Sequence, residues 1–403
     1  MNDTKIFEQS KWIIEQLENY GHKAFFVGGS VRDFLMNKAI SDVDITTSAL
    51  PDEVESIFDK TLPIGKEHGT IMVISNEQQF EVTTFRKDGD YVDHRRPTSV
   101  QFVTDLYEDV ARRDFTMNAL AMDKNYGIHD YFNGKEDIEN HIIKAVGTPL
   151  DRMNEDALRI MRGIRFQAQT GFDIEIDTQN AMKDTVHLLS NISIERIIVE
   201  LKKLISGSYI KESKRTIDYL SIFQHIPFFE QIKNDEIFMP TDADFDLWIG
   251  ALCFIYKVDT TSLNTLKISN LERKQIIAYV ELLKSFSKKN ISKQQLTLIV
   301  YEYGDVQVKN ILNLIKEYHE ILNIEYQPVI MNNILIDEIY GKLPIYNKSE
   351  LNINGQILMT EFNKTGGPWI KHALNQLEEA VVLNKVNNKR YELIEWMREH
   401  VEI

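Results

Sequence analysis

Asp42 and Asp44 stand one residue apart, shortly after the paired glycines Gly28-Gly29. Residues two apart on a strand share a face. The segment FFVGGSVRDFLMNKAISDVDI (25–45) therefore predicts a strand, a glycine turn, a short helix and a second strand that carries two carboxylates side by side. Such a pair can hold a divalent metal, and hard oxygen ligands favour magnesium. The glycines let the backbone approach a phosphate closely, and a helix start beside them attracts anions. Metal, triphosphate and an attacking hydroxyl together suit phosphoryl or nucleotidyl transfer. A D-x-D pair or a glycine turn is ordinary by itself; the argument rests on their combination. The turn has neither G-x-G-x-x-G nor the G-K-[ST] ending of a P-loop.

A second constellation lies on a helix expected over 154–169, NEDALRIMRGIRFQAQ. Positions three apart are neighbours on a helix surface, so Asp156, Arg159, Arg162 and Arg165 form a slowly winding polar stripe. Leu158, Ile160, Met161, Ile164 and Phe166 cover much of the rest. Such a stripe suits a salt-bridged solvent face, but it also suits base reading. A carboxylate accepts hydrogen bonds and a guanidinium only donates. Cytosine and adenine each offer an amino donor beside a ring-nitrogen acceptor, matching Asp156 with Arg159. Uracil and guanine present the reverse order, so both contacts become repulsive. Each buried polar group left unsatisfied costs about 1–3 kcal/mol.

A third element is RRDFTMNALAMD (112–123). Arg112 and Arg113 precede Asp114, with Asn118 expected on the same short helix, and arginines here suit bidentate contacts to a triphosphate. Glu81 lies in the strand-like FEVTTF (80–85) as a possible third carboxylate; a solvent-facing glutamate is the alternative. Between Phe85 and Phe102, RKDGDYVDHRRPTSV reads as a functional flexible loop punctuated by Asp88-Gly89 and Pro97. His68 in GKEHGT reads as structural. His129-Asp130 lacks further histidines at ligand spacing.

These residues need rigid elements to hold them. Strand-like runs are Ala24–Val27, Val43–Thr46, Thr70–Ile74, Phe80–Phe85 and Ala119–Met122, alternating with helices. A second helix starts at Ser193, with Ile194, Ile197, Ile198, Leu201 and Leu204 in helical spacing and Gly207 as its stop. Beyond 207 almost everything reads as amphipathic helix. The expected architecture is an α/β head with a mixed five-stranded sheet, followed by an all-α extension.

Composition bounds the rest. A chain of 403 residues with 43% hydrophobic content suits an ordered, soluble protein of several domains. Its one cysteine, Cys253, excludes an intramolecular disulfide and a cysteine-built zinc site. The N-terminus has no signal-peptide form, and the longest apolar stretch, Leu247 to Tyr256, is too short to span a bilayer. A net charge of −15 argues against a general nucleic-acid binder. Residues 1–125 are the most acidic part, with 14 Lys/Arg against 22 Asp/Glu. RNA binding would then use a local basic stripe and be salt-sensitive.

Taken in order, GGSVRD, DVDI, RRDFTMNA and EDALRIMRGIRF resemble the motifs of class II tRNA nucleotidyltransferases, whose heads are similar to those of bacterial poly(A) polymerases. ISIERIIVEL (192–201) resembles the last head-and-neck motif. GGPWIKHALNQLEEAVV (366–382) is similar to the tail of the short bacterial CCA-adding enzymes. The resemblance implies a seahorse-shaped molecule with a head (1–125), a helical neck (126–206), a body (207–300) and a tRNA-binding tail (301–403). It implies template-independent addition of C, C and A to tRNA 3′ ends from CTP and ATP, in the cytoplasm, by in-line attack with two magnesium ions and release of pyrophosphate. By motif position, Asp42 and Asp44 would hold the metal. Gly29, Arg32 and Arg113 would bind the triphosphate, and Asp156 and Arg159 would read the base. Arg162 and Arg165 would complete the pocket, with Glu81 a further catalytic carboxylate. The acceptor stem would enter the head. The tail would grip the outer corner of tRNA near Gly366-Gly367-Pro368, Lys364 and Lys371.

Three rivals follow from the same motifs. A poly(A) polymerase shares the head but tends to carry a longer, basic C-terminal region. A CC-adding or A-adding specialist is the second, and CC-adding relatives tend to lack a loop such as the one bearing Arg86, Asp93, Arg95, Arg96 and Pro97. A silent RNA- or nucleotide-binding protein would be expected to lose a metal aspartate. The sequence leaves both monomer and homodimer open.

Overall fold

The computed structural model describes residues 4–75, 78–89, 91–92, 96–97, 100–232, 237–288 and 291–400. The chain divides into two compact units, 1–242 with 265–267, and 243–264 with 268–403.

The first unit opens with α1 (Lys5–Asn19). Its Phe7, Ser10, Ile13, Ile14 and Leu17 recur at helical spacing and are buried. The sheet is built from β1 (Ala24–Val27), β2 (Asp44–Thr47), β3 (Thr61–Gly65), β4 (Thr70–Ser75), β5 (Gln78–Thr84), β10 (Leu120–Met122) and β11 (Ile128–Asp130). Its order is β11-β10-β1-β2-β5-β4-β3. Only β2 and β5 run parallel; the other neighbours are antiparallel. All five expected strands are present, so the mixed sheet holds, and β3 and β11 extend it at its two edges. β3 reads TLPIG, with a proline and three exposed positions, which only an edge strand tolerates. β11 has three residues, too few for an alternation to register.

The helices α2 (Gly29–Leu35), α3 (Pro51–Ile57) and α4 (Leu106–Ala111) flank this sheet. The segment expected as a loop after Phe85 is instead paired. β6 (Arg86–Asp88) runs antiparallel to β9 (Val100–Phe102), and β7 (Tyr91–Val92) to β8 (Arg96–Pro97). Backbone pairing needs no aliphatic side chains, so its charged composition concealed it. Asp93 and Arg95 lie outside the described residues.

Next come α5 (Gly134–Glu139), α6 (Pro149–Glu155), α7 (Leu158–Thr170), α8 (Ile176–Thr185), α9 (Ile194–Ile205) and α10 (Ile210–Leu220). The helix expected over 154–169 is thus two helices with a break at Asp156, whose backbone is extended (φ −139°, ψ 101°). An aspartate hydrogen-bonds local backbone N–H groups better outside a helix than inside one, and Asp156 does so here. The α9 face expected from Ile197, Ile198, Leu201 and Leu204 is buried.

The second unit is helical. α11 (Phe245–Tyr256) is buried along most of its length, as a helix apolar all round must be. α12 (Asn270–Phe286) starts from a reciprocal Ser269–Glu272 cap. α13 (Lys293–Leu322) is interrupted at Gly304 (φ 78°, ψ 164°), a conformation essentially confined to glycine. α14 (Asn333–Tyr340), α15 (Gly355–Glu361), α16 (Pro368–Val382) and α17 (Arg390–His400) complete it. Leu358, Leu377, Val381, Leu393 and Met397 form a core against which Leu298 and Tyr301 pack. Pro368 takes the first helical position of α16, as its fixed φ favours. Lys364 lies over the Trp369 ring, 5.5 Å from its centroid. Among the described residues no helix is long and apolar enough to cross a membrane.

Candidate active site

The strand register brings the first constellation together. Asp44 opens β2 opposite Val27 on β1 and Glu81 on β5. Gly28 follows Val27 directly, so the glycine turn and both strand carboxylates meet at one end of the sheet. Asp42 precedes the ladder rather than lying within it, and both aspartates are exposed. Partial desolvation pushes the Asp44 carboxyl above its ordinary range, the nearby charges of Asp42 and Glu81 push it further, and Arg113 opposes them. Among the described residues, no group of three or more Asp, Glu, His or Cys stands in a ready metal-holding arrangement. The oxygen donors and crowded negative charge of Asp42, Asp44 and Glu81 nevertheless fit a hard divalent cation, which would relieve that crowding.

Beside them opens a cavity of about 750 Å³. Gly28, Gly29, Arg32, Asp44, Arg113, Asp156, Arg159, Arg162 and Arg165 all line it, so nine positions from three separate sequence segments share one space. Eight arginines and three aspartates stand in its wall. Here is the local positive charge that an acidic chain needs if it is to hold a polyanion.

Each arginine is held by a named partner. Gly28 has φ 71°, and a Cβ there would come within 2.9 Å of Arg113 Nη1; the bare turn leaves room for that guanidinium. Arg113 Nε is buried without a hydrogen-bond partner among the described residues, a donor that an anion would satisfy. Arg32 donates to Asn118 Oδ1 at 2.8 Å, and Asn118 donates in turn to Asp114 Oδ1 at 3.0 Å. Arg162 donates to Asp114 Oδ2 at 2.7 Å. Burial would raise the Asp114 carboxyl, but Arg162 and Asn118 hold it far below its ordinary range. Arg165 pairs with the buried Glu200 of α9 at 2.6 Å.

Asp156 accepts from the Leu158 N–H at 3.0 Å with one oxygen and from Arg196 Nη2 at 3.1 Å with the other. It therefore accepts the first N–H of α7 from just before the Ala157 cap position while facing the cavity. Arg159 donates to Glu155 Oε2 (2.7 Å), to the Arg152 carbonyl (2.8 Å) and to the Arg112 carbonyl (3.0 Å). These contacts fix its guanidinium in the wall. The two residues are thus separately anchored rather than stacked along one helix face.

Sequence reasoning missed several supports. Phe166, read as apolar cover, lies under three guanidiniums, with Arg165, Arg32 and Arg162 at 3.9, 5.1 and 5.6 Å from its centroid; the spacing of Arg162 and Arg165 relative to Phe166 in α7 was an available signal, whereas Arg32 comes from α2 and gave none. His68, read as structural, lines the cavity, and its carbonyl accepts from Arg86 at 2.5 Å. Arg196 and Glu200 lie on the recognised helix α9 but were not singled out. Asn118 sits on a single 3₁₀ turn (Thr116–Asn118), not a longer helix.

Residues 24–144 match the family model described as Poly A polymerase head domain, and 246–397 match that of tRNA nucleotidyltransferase domain 2. A CCA-adding enzyme of Staphylococcus epidermidis is 46% identical over 401 residues, covering 99% of each chain. One of Staphylococcus haemolyticus is 48% identical, covering 99% of this chain and 100% of its own. A crystal structure of the Bacillus stearothermophilus CCA-adding enzyme in complex with CTP superposes with a TM-score of 0.83 at 32% identity, covering 98% of this chain and 97% of that one.

Proposed function

The chain belongs to the CCA-adding enzymes, and on that premise we propose that it adds C, C and A to the 3′ end of tRNA from CTP and ATP without a nucleic-acid template. The observation that carries this reading is one cavity lined by Asp44, Arg113, Asp156 and Arg159. Transfer chemistry and base choice thereby share a space without any template strand. The head model is shared with poly(A) polymerases, but the match to CCA-adding enzymes runs the full length of the chain.

Nucleotidyltransferases of this family use divalent metal ions. We assign them to Asp42 and Asp44, with Glu81 as a supporting carboxylate, and take them to be two magnesium ions because all the donors are hard oxygens. Bound there, metal would supply charge neutralisation and a lowered pKa for the attacking hydroxyl. Gly29, Arg32 and Arg113 receive the triphosphate. Asp156 accepts the exocyclic amino group of C or A while Arg159 donates to the neighbouring ring nitrogen. Arg162 and Arg165, levelled by Phe166, close the nucleotide pocket. The tRNA 3′-hydroxyl then attacks the α-phosphate in line and pyrophosphate leaves. The acceptor stem meets the head, while the tail (301–403) holds the outer corner, in line with Lys364 and Lys371 near the start of α16, and the body (207–300) is helical. A cytoplasmic enzyme follows from its substrate; both monomer and dimer are compatible with this chemistry.

The test is incorporation of each labelled nucleotide into tRNA transcripts ending before CCA, after C and after CC. C, C, A and a stop are expected. A long adenosine tail on any RNA would instead identify a poly(A) polymerase, and C alone or A alone a specialist. No incorporation would identify a silent binder.

A further inference from the structure

Asp109, on α4, is fully buried and stands outside the cavity wall, yet its two oxygens reach several parts of the site. Oδ1 accepts from Arg112 Nε (3.2 Å) and Nη2 (3.0 Å) and from the peptide N–H of Arg86 (3.3 Å). Oδ2 accepts from Arg113 Nη2 (3.4 Å) and Thr46 Oγ1 (3.4 Å). Each partner leads somewhere different. Thr46 lies on β2 two residues beyond Asp44. Arg86 opens the β6–β9 hairpin. Arg113 lies over Gly28, and the Arg112 carbonyl receives Arg159 Nη2.

Burial alone would raise the Asp109 carboxyl, but Arg112 and Arg113 hold it below its ordinary range, so it is ionised at neutral pH. A buried charge is a poor way to gain stability alone, because desolvation offsets the attraction. What the charge adds here is direction. It fixes the planes of two adjacent guanidiniums, one facing the cavity and one whose backbone holds the next arginine.

We infer that Asp109 is a positioning residue that aims Arg113 at the triphosphate and, through the Arg112 backbone, Arg159 at the base. Removing its charge then loosens nucleotide affinity and base choice together. This rests on the roles given above to Arg113 and Arg159.

Asp109→Asn keeps the volume but turns an N–H towards a guanidinium. Its KM for CTP and for ATP should rise about tenfold, the loss expected for a charge-assisted hydrogen bond. UTP insertion relative to CTP should rise in the same variant. Arg113→Ala should raise KM while keeping base choice, and Arg159→Ala should blur base choice first. A merely structural role predicts a lower melting temperature with both readouts unchanged in the folded fraction, and that result would overturn the inference. If Asp109→Asn does not fold, Asp109→Glu is read in the same two assays, where unshifted values also overturn it. Wild-type constants in both arginine variants would instead refute the roles on which it rests.

Discussion

Asp44 carries a conflict that the proposed cation would resolve. Its carboxyl faces Asp42 and Glu81, and desolvation and like charge both make ionisation harder. Without metal, an ionised Asp44 therefore weakens the fold slightly, because the unfolded chain releases that proton more readily. Asp44→Asn should abolish nucleotide transfer, a loss of three orders of magnitude or more, about 4 kcal/mol, while the metal-free melting temperature stays level or rises. A variant that retained activity would refute the metal assignment. Asp156 makes a different prediction. Asp156→Ala removes the acceptor proposed for the amino group, so discrimination of C over U should fall about tenfold to a hundredfold. The same variant loses the hydrogen bond to the Leu158 N–H, at about 1 kcal/mol of stability. Competition between CTP and UTP in single-turnover insertion measures the first effect, and thermal melting the second.

At the scale of elements, two helices bring arginines around Phe166: Arg162 and Arg165 from α7 and Arg32 from α2. Three guanidiniums within 6 Å of one ring repel one another, and the ring face partly offsets this at about 0.5–2 kcal/mol per contact. Phe166→Leu keeps an apolar side chain but removes the π face. It should raise KM for both nucleotides severalfold with a modest fall in melting temperature; an unchanged KM would reduce Phe166 to packing. The parts of this site legible in the sequence were those that chemistry places at fixed short spacing: Asp42 with Asp44, Arg159 with Arg162 and Arg165. The strands around them were legible from β-branched and aromatic runs. The break at Asp156 was not, because Asn154 to Gln169 keeps helical periodicity across it. Arg196, Glu200 and Asn118 act through partners distant in sequence, which no local pattern encodes. Asp109 precedes Arg112 and Arg113 by three and four positions, a spacing readable as an ion-pair pattern, but its burial depends on the sheet packed over it.

For the whole molecule, two buried carboxylates tie stability to pH. Asp109 and Asp114 both bind protons less readily in the folded chain than in the unfolded one. Their contribution is therefore complete above about pH 4, the ordinary carboxylate value, and drains away as the pH falls towards their lowered folded values. Asp114→Asn should melt lower than wild type at pH 7 and show a shallower decline below about pH 4. Parallel slopes would mean that Asp114 does not govern acid sensitivity. In the second unit, Gly304→Ala forces a Cβ into the φ 78°, ψ 164° conformation and should cost about 1–3 kcal/mol, read as a lower denaturation midpoint. Finally, Asp156 belongs to three things at once: the cavity, the first turn of α7 and the ion pair with Arg196. Exchanging it to accept another base also moves the start of the helix that carries Arg159. A new nucleotide alphabet is thus not one mutation away: intermediates on any evolutionary path would lose both the old preference and the frame for the new one, which restrains drift in what is written on tRNA ends.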